Sequence, residues 1–172
     1  MSFDAHSSAA VRATLDRLRS FLAHRLGSDD DAASIVGQHL AAALRCSDSL
    51  PAATSIVARW QQILRHAIVD YVRGGVSPAA RDRAWEAILS ISHAQHHHEL
   101  ASCFAPLIAE LPLDEALLLH HVEMLGHPLD SAARELGHSP ADGTTLFARA
   151  EVRLHDRVSQ MFDRRLSAPA AA

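Results

Sequence analysis

Two groups of side chains in this sequence have the types and the spacing to do chemistry. The first is Thr144, Thr145, Arg149 and Arg153. Residues three and four apart share a helix face, so Thr145 and Arg149 would stand side by side, with Arg153 at the flank. An arginine there can address a guanine edge or a phosphate, and a threonine a phosphate or a thymine methyl. The other outcome for such a face is plain solvation. The second group is the run Ser92-His-Ala-Gln-His-His-His98, where His93 and His97 sit at i, i+4. That spacing puts two imidazoles on one helix face, as metal sites do. Glu99 and Cys103 follow, but no third ligand has matching spacing, so a solvated polar linker is expected. Other chemistry is not encoded: there is no glycine-rich phosphate loop, nucleophile elbow or metalloenzyme ligand set. Asp114 and Glu115 read as a helix start. His120 and His121 lie in a leucine-rich helix, with His120 on its apolar side. A non-enzyme without cofactor, metal or small-molecule substrate is expected.

The arginine group needs an element to hold it, and the stretch Leu129 to Leu154 supplies one. Leu129, Ala132, Ala133 and Leu136 make one apolar stripe on a short helix. Gly137 follows at once, where helices end in a left-handed turn. Ser139 offers an N-cap hydroxyl, and Pro140 suits the first helical position. The next helix turns Gly143, Phe147, Ala150 and Leu154 inward, leaving Thr145, Ala148, Arg149 and Val152 outside. A short helix, a glycine turn and a longer helix form the helix-turn-helix pattern, whose second helix enters the major groove in DNA-binding versions.

The 172 residues suit one ordinary domain or two small ones. With 48% apolar residues and few glycines and prolines, the composition is that of an all-helical globular chain. No apolar run has the length of a membrane span, and the first residues lack the basic start and apolar core of a signal peptide. A cytoplasmic location is expected. Cys46 and Cys103 show no paired-ligand spacing and read as unlinked, buried thiols. The net charge is −4, and every basic side chain other than histidine is arginine. Nucleic-acid binders usually present a basic surface, so a contact here would be local, or a larger partner would supply the positive field.

Along the chain, Val11, Leu15, Leu18, Leu22 and Leu26 mark a first helix closed by Gly27. Ser28 and Asp29-Asp30-Asp31 open a second, with a cap and negative charge where the helix dipole favours them. Cys46 to Thr54 reads as a loop. A third helix carries Trp60, Ile63, Leu64, Ala67, Ile68, Tyr71 and Val72 inward and Arg59, Arg65, His66, Asp70 and Arg73 outward, and ends at Gly74-Gly75. Ala84, Trp85, Ile88, Leu89 and Ile91 permit a short helix beyond Pro78. Leu100 to Leu111 forms a fifth, with Pro106 in its first turns or kinking it. Asp114 and Glu115 begin a sixth, which Gly126 and Pro128 end. The tail Ser167 to Ala172 is expected to be disordered. The expectation is an all-α fold of two small helical bundles: residues 8–75, a linker 76–98 that is histidine-rich at its end, and residues 99–166 containing the helix-turn-helix.

Three blocks in this order resemble a bacterial RNA polymerase sigma factor of the extracytoplasmic-function group. Asp30 to Leu44 resembles the acidic-start helix of sigma region two, which docks on the polymerase clamp. Trp60, Ile63-Leu-Arg65-His66 and Asp70-Tyr-Val-Arg73 resemble the helix of that region that reads melted promoter DNA. Leu100 to Pro112, Glu115-Ala-Leu-Leu-Leu119, Gly126 and the Leu129–Leu154 hairpin resemble sigma region four, which binds the upstream promoter element. The resemblance spans Leu15 to Val158. It implies core RNA polymerase and promoter DNA as partners. It assigns polymerase contact to Asp30, Asp31, Ser34 and Gln38, and DNA contact to Arg65, His66 and Arg73 beside Thr144, Thr145, Arg149 and Arg153.

The chain also departs from that family. Ala33, Ser34, Gly37 and Gln38 stand where the clamp helix usually carries carboxylates. Thr144, Leu146 and Glu151 stand where the recognition helix usually carries cations. Each phosphate contact adds to affinity through counterion release, so their loss weakens DNA binding. A second expectation follows: a sigma-like adaptor or decoy that acts by protein–protein binding, for example to an anti-sigma factor.

Overall fold

The computed structural model describes residues 3–46 and 55–167, with side chains described for 9–46 and 55–160. All regular structure among them is helical. The expected loop from Cys46 to Thr54 and the tail after Ser167 fall almost wholly outside the described residues. The chain divides into two compact units, one of Leu15–Cys103 and one of Met1–Thr14 with Phe104–Ala172.

The Leu15–Cys103 unit begins within α1 (Phe3–Leu26), where Leu15, Leu18, Phe21, Leu22 and Leu26 are buried. Gly27, at φ 63°, ends the helix, in the left-handed region that favours glycine. Ser28 caps α2 (Asp29–Ser34) by accepting a hydrogen bond from the Asp31 amide at 3.2 Å. A π-helical segment, Ile35–His39, then leads into α3 (Leu40–Arg45), which buries Leu40, Ala41, Ala43 and Leu44. Ser55 caps α4 (Ile56–Arg73) in the same way, and Trp60, Ile63, Leu64, Ala67 and Ile68 are fully enclosed along it. These five follow the 3.6-residue stripe expected of this helix.

The expected linker at 76–98 is mostly helix. Ser77 caps α5 (Pro78–Ile91), Pro78 takes the first turn, and Ala80, Ala84, Ala87 and Ile91 are buried as the helix packs on α4. An alanine stripe carries little hydrophobic signal, yet it lets two helices approach closely. Two of the larger residues, Trp85 and Leu89, are exposed. A single 3₁₀ turn, Ala94–His96, precedes α6 (His97–Cys103), and the two compact units divide at Cys103–Phe104. Cys103 is buried as expected, which pushes its thiol up to about 11, whereas Cys46 is exposed.

In the other unit, α7 (Ala105–Ile108) carries Pro106 near its start, where a proline is tolerated. Next come α8 (Leu113–Leu119), a π-helical segment His120–Met124, α9 (Leu129–Glu135) and α10 (Pro140–Ser167). The last helix packs on both α8 and α9. Leu118, Ala132 and Ala133 form the centre, with Val122, Leu129, Leu136, Leu146 and Phe147 around them.

Candidate nucleic-acid interface

The turn between α9 and α10 is fixed by backbone chemistry legible in its residues. Gly137 takes φ 81°. The His138 amide donates to the Ala133 carbonyl at 2.9 Å, and the Gly137 amide to Arg134 at 3.0 Å. Those two bonds are the Schellman pattern, which satisfies carbonyls a helix end would otherwise leave open. Ser139 Oγ accepts from the Asp142 amide at 3.1 Å and donates to Asp142 Oδ2 at 2.6 Å. Ser139 is thus the N-cap of α10, satisfying one of the amides its first turn leaves open, and the Asp142 carboxylate orients the Ser139 hydroxyl.

Close packing then sets the angle of the hairpin. A Cβ placed on Gly143 would lie 2.3 Å from the Ala133 Cβ. The two helices therefore touch at a point only glycine can occupy. Gly143, Ala150 and Leu154 are buried and Phe147 half-buried. The opposite face leaves Thr144, Thr145, Ala148, Arg149, Val152 and Arg153 exposed. Inner and outer faces both match the sequence expectation.

The side chains on that outer face are already engaged. Thr144 Oγ1 donates to the Pro140 carbonyl at 3.0 Å, and Thr145 Oγ1 to Ala141 at 3.1 Å. Each hydroxyl keeps its acceptor lone pairs, and Thr145 its methyl. Arg149 Nη2 lies 3.2 Å from Glu115 Oε1, and Arg153 Nη1 lies 3.5 Å from Glu115 Oε2. The arginine side chains are 57% and 50% exposed, while that of Glu115 is 1% exposed. Glu115 is thus not the simple helix-start acid that its pairing with Asp114 suggests. A signal was available: Glu115 precedes Leu118 and Leu119 at i+3 and i+4, which places it on the buried stripe. His120, expected on the apolar side, is exposed, because the buried stripe of this helix is Glu115, Leu118 and Leu119, and the next position turns away from it.

The candidate residues of the Leu15–Cys103 unit are of two kinds. Arg65 donates to Ser92 Oγ at 3.2 Å, and Asp70 lies 3.6 Å from both His66 and Arg73. Arg65 and His66 are half-buried, and Arg73 is exposed. Trp60 is core, as its place on the stripe implies. Of the four residues assigned to polymerase contact, Asp30 and Gln38 are exposed and Ser34 is half-buried. Asp31 is turned inward. Tyr71 Oη donates to its Oδ1 at 2.6 Å, and Arg83 Nη2 donates to its Oδ2 at 3.1 Å. The Tyr71 hydroxyl, helped by Arg83, holds the Asp31 carboxyl below the usual range, and burial together with Asp31 pushes the Tyr71 phenol up to about 12. That network joins α2, α4 and α5, which explains the residue better than an outward docking role.

The histidine run brings no two imidazoles onto one helix face, and His93 and His98 are exposed, in keeping with the solvated segment expected there. His93 lies before the 3₁₀ turn and His97 begins α6, so no single helix carries both. Burial holds the His97 imidazole below its ordinary value. Glu99 instead pairs with Arg25, whose guanidinium also stacks 3.6 Å above the Phe21 ring. No helix among the described residues is long and apolar enough to cross a membrane. No family model, curated protein or solved structure matches this chain.

Proposed function

We propose that this chain acts as a sigma-like transcription initiation factor, binding core RNA polymerase and directing it to promoter DNA through the α9–α10 hairpin. The observation that carries the proposal is the exposed outer face of α10 over a tightly closed turn. A recognition helix must present short polar and cationic side chains on a rigid backbone, and phosphate or base contacts then set register and sequence. Thr144 and Thr145 retain acceptors, and each guanidinium has five N–H donors, more than Glu115 can occupy. In the other unit Arg65, His66 and Arg73 are the groups suited to melted promoter DNA, with Asp30, Ser34 and Gln38 toward polymerase.

A specific observation also favours the adaptor reading. Glu115 places a negative charge behind Arg149 and Arg153, in a chain whose net charge is already −4. Phosphate affinity drops when the cations are neutralised locally. Such a chain would bind a regulatory protein, for example an anti-sigma factor, while contributing little DNA affinity.

Transcription from a pool of genomic fragments with purified core polymerase separates the two. The initiation role predicts promoter-dependent transcripts from the intact chain and their loss in Thr145→Asp, which adds a phosphate-repelling charge to the exposed face one turn before Arg149. Polymerase retained on the chain with no transcript supports the adaptor. Neither transcript nor retained polymerase would overturn the sigma-like proposal.

A further inference from the structure

The segment leading into the hairpin gathers two imidazoles and a carboxylate that the DNA-binding proposal does not use. His121 sits in the π-helical segment, His127 follows Gly126 at φ 72°, and Glu135 closes α9. The left-handed glycine reverses the chain, so the His121 and His127 ring centroids come within 5.3 Å, with the planes 70° apart. Glu135 Oε2 lies 3.4 Å from His121 Nδ1 and 3.7 Å from His127 Nδ1. One donor atom from each of the three residues falls within 4.8 Å of the others. Both Nδ1 atoms are shielded from solvent, and neither makes a hydrogen bond.

Those separations fit an ion better than a direct bond. A charged N–H···O contact closes to about 2.7–2.9 Å. Tetrahedral zinc holds nitrogen and oxygen donors at about 2.0–2.2 Å, which puts neighbouring donors roughly 3.4 Å apart. Imidazole and carboxylate together suit zinc and its first-row neighbours and not calcium or magnesium, which take oxygen donors. π-helical segments recur at functional sites because they re-aim single side chains, and here one presents His121.

We infer that His121, His127 and Glu135 form a zinc site, with a fourth position open to water, which braces the segment 120–128 against α9. His121 is the least exposed of the three and Glu135 the most. The ion therefore exchanges with solvent, and occupancy follows the free zinc concentration. The inference goes beyond the proposed function and stands whether or not the chain binds DNA.

Zinc is titrated into the full chain against a chromophoric chelator, and melting is followed with and without the metal. The site predicts one zinc per chain and a melting temperature raised by about 5–10 °C at hundred-fold saturation. Glu135→Gln and His127→Ala weaken binding at least ten-fold while melting near the intact chain when zinc is withheld. A His93→Ala/His98→Ala control, which removes two exposed imidazoles of the histidine run, binds as the intact chain does. Unchanged affinity in both site variants, loss of binding in the control, or zinc that leaves melting unmoved would overturn the inference.

Discussion

Arg149 holds Glu115 across the α8–α10 contact, Nη2 to Oε1 at 3.2 Å, so the arginine proposed above for DNA contact is also a clamp on a buried acid. Arg153 meets the other oxygen of the same carboxylate at 3.5 Å. One carboxylate thus fixes the outer face of α10 to the core of its unit. Preorganised guanidiniums lose little freedom on binding, which favours recognition, but their charge is partly compensated beforehand, which opposes it.

Removing both cations should destabilise the Phe104–Ala172 part of the chain. Breaking a buried ion pair costs about 3–5 kcal/mol because the remaining charge stays enclosed. The arginines are half-exposed and water screens them, so Arg149→Ala/Arg153→Ala is expected to cost about 2–3 kcal/mol, and either single change about 1 kcal/mol. Glu115→Leu, which removes the enclosed charge, should recover most of the loss in the same background. Urea unfolding of the intact chain and these four variants measures it. A double variant as stable as the intact chain would show that Glu115 does not depend on the pair.

Glu115→Gln should strengthen general DNA binding. The substitution keeps the shape and an acceptor but releases the positive field of Arg149 and Arg153. Each arginine that then engages a phosphate steepens the dependence of log affinity on log salt by about 0.9. Fluorescence anisotropy with a mixed-sequence duplex over a salt series reads both affinity and slope. Equal slopes in the two proteins would mean that releasing Glu115 gives neither arginine a new phosphate contact.

Gly143→Ala should open the hairpin. The added Cβ would stand 2.3 Å from that of Ala133, a clash between two rigid positions with no flexible side chain to absorb it. Overpacking of this kind costs about 1–3 kcal/mol. Ala133→Gly removes the opposing atom, so the double variant should regain part of the loss despite the helix cost of glycine, about 1 kcal/mol. Thermal melting of the four-member cycle gives the coupling directly. Additive single effects would place the contact elsewhere.

Local chemistry carried most of what was legible beforehand. Gly137, Ser139 and Pro140 encode turn, cap and first position within four residues, and the structure has each of them in that role. The Trp60–Ile68 stripe is likewise strong enough to fix its own burial. What escaped was set by distant partners. Nothing near Asp31 announces Tyr71 forty residues on, and the buried face of α5 is alanine but for Ile91 at its end, which periodicity of large residues cannot detect. His121, His127 and Glu135 come together only through a π-helical segment and a left-handed glycine, so their spacing in sequence matches no ligand pattern.

The Asp31–Tyr71 bond should make stability depend on pH at both ends of the scale. The folded Asp31 carboxyl titrates below its unfolded value, so its contribution is present above about pH 4 and is lost as pH falls through the lowered folded value. The Tyr71 phenol runs the other way. Its folded value is raised, so its contribution is complete below about pH 10 and disappears as pH rises through about 12. Tyr71→Phe removes a bond to a charged acceptor and should cost about 1.5–3 kcal/mol at neutral pH. It should also flatten the acid limb, because Asp31 then keeps only its Arg83 and Ser28 partners. The chain has a single tyrosine, so tyrosinate absorbance reports Tyr71 alone. Its midpoint should fall from about 12 toward 10 in Asp31→Asn, while burial retains part of the shift. A midpoint near 10 in the intact chain would mean that α2 and α4 are not joined by this bond in solution, and the inward assignment of Asp31 would be lost with it.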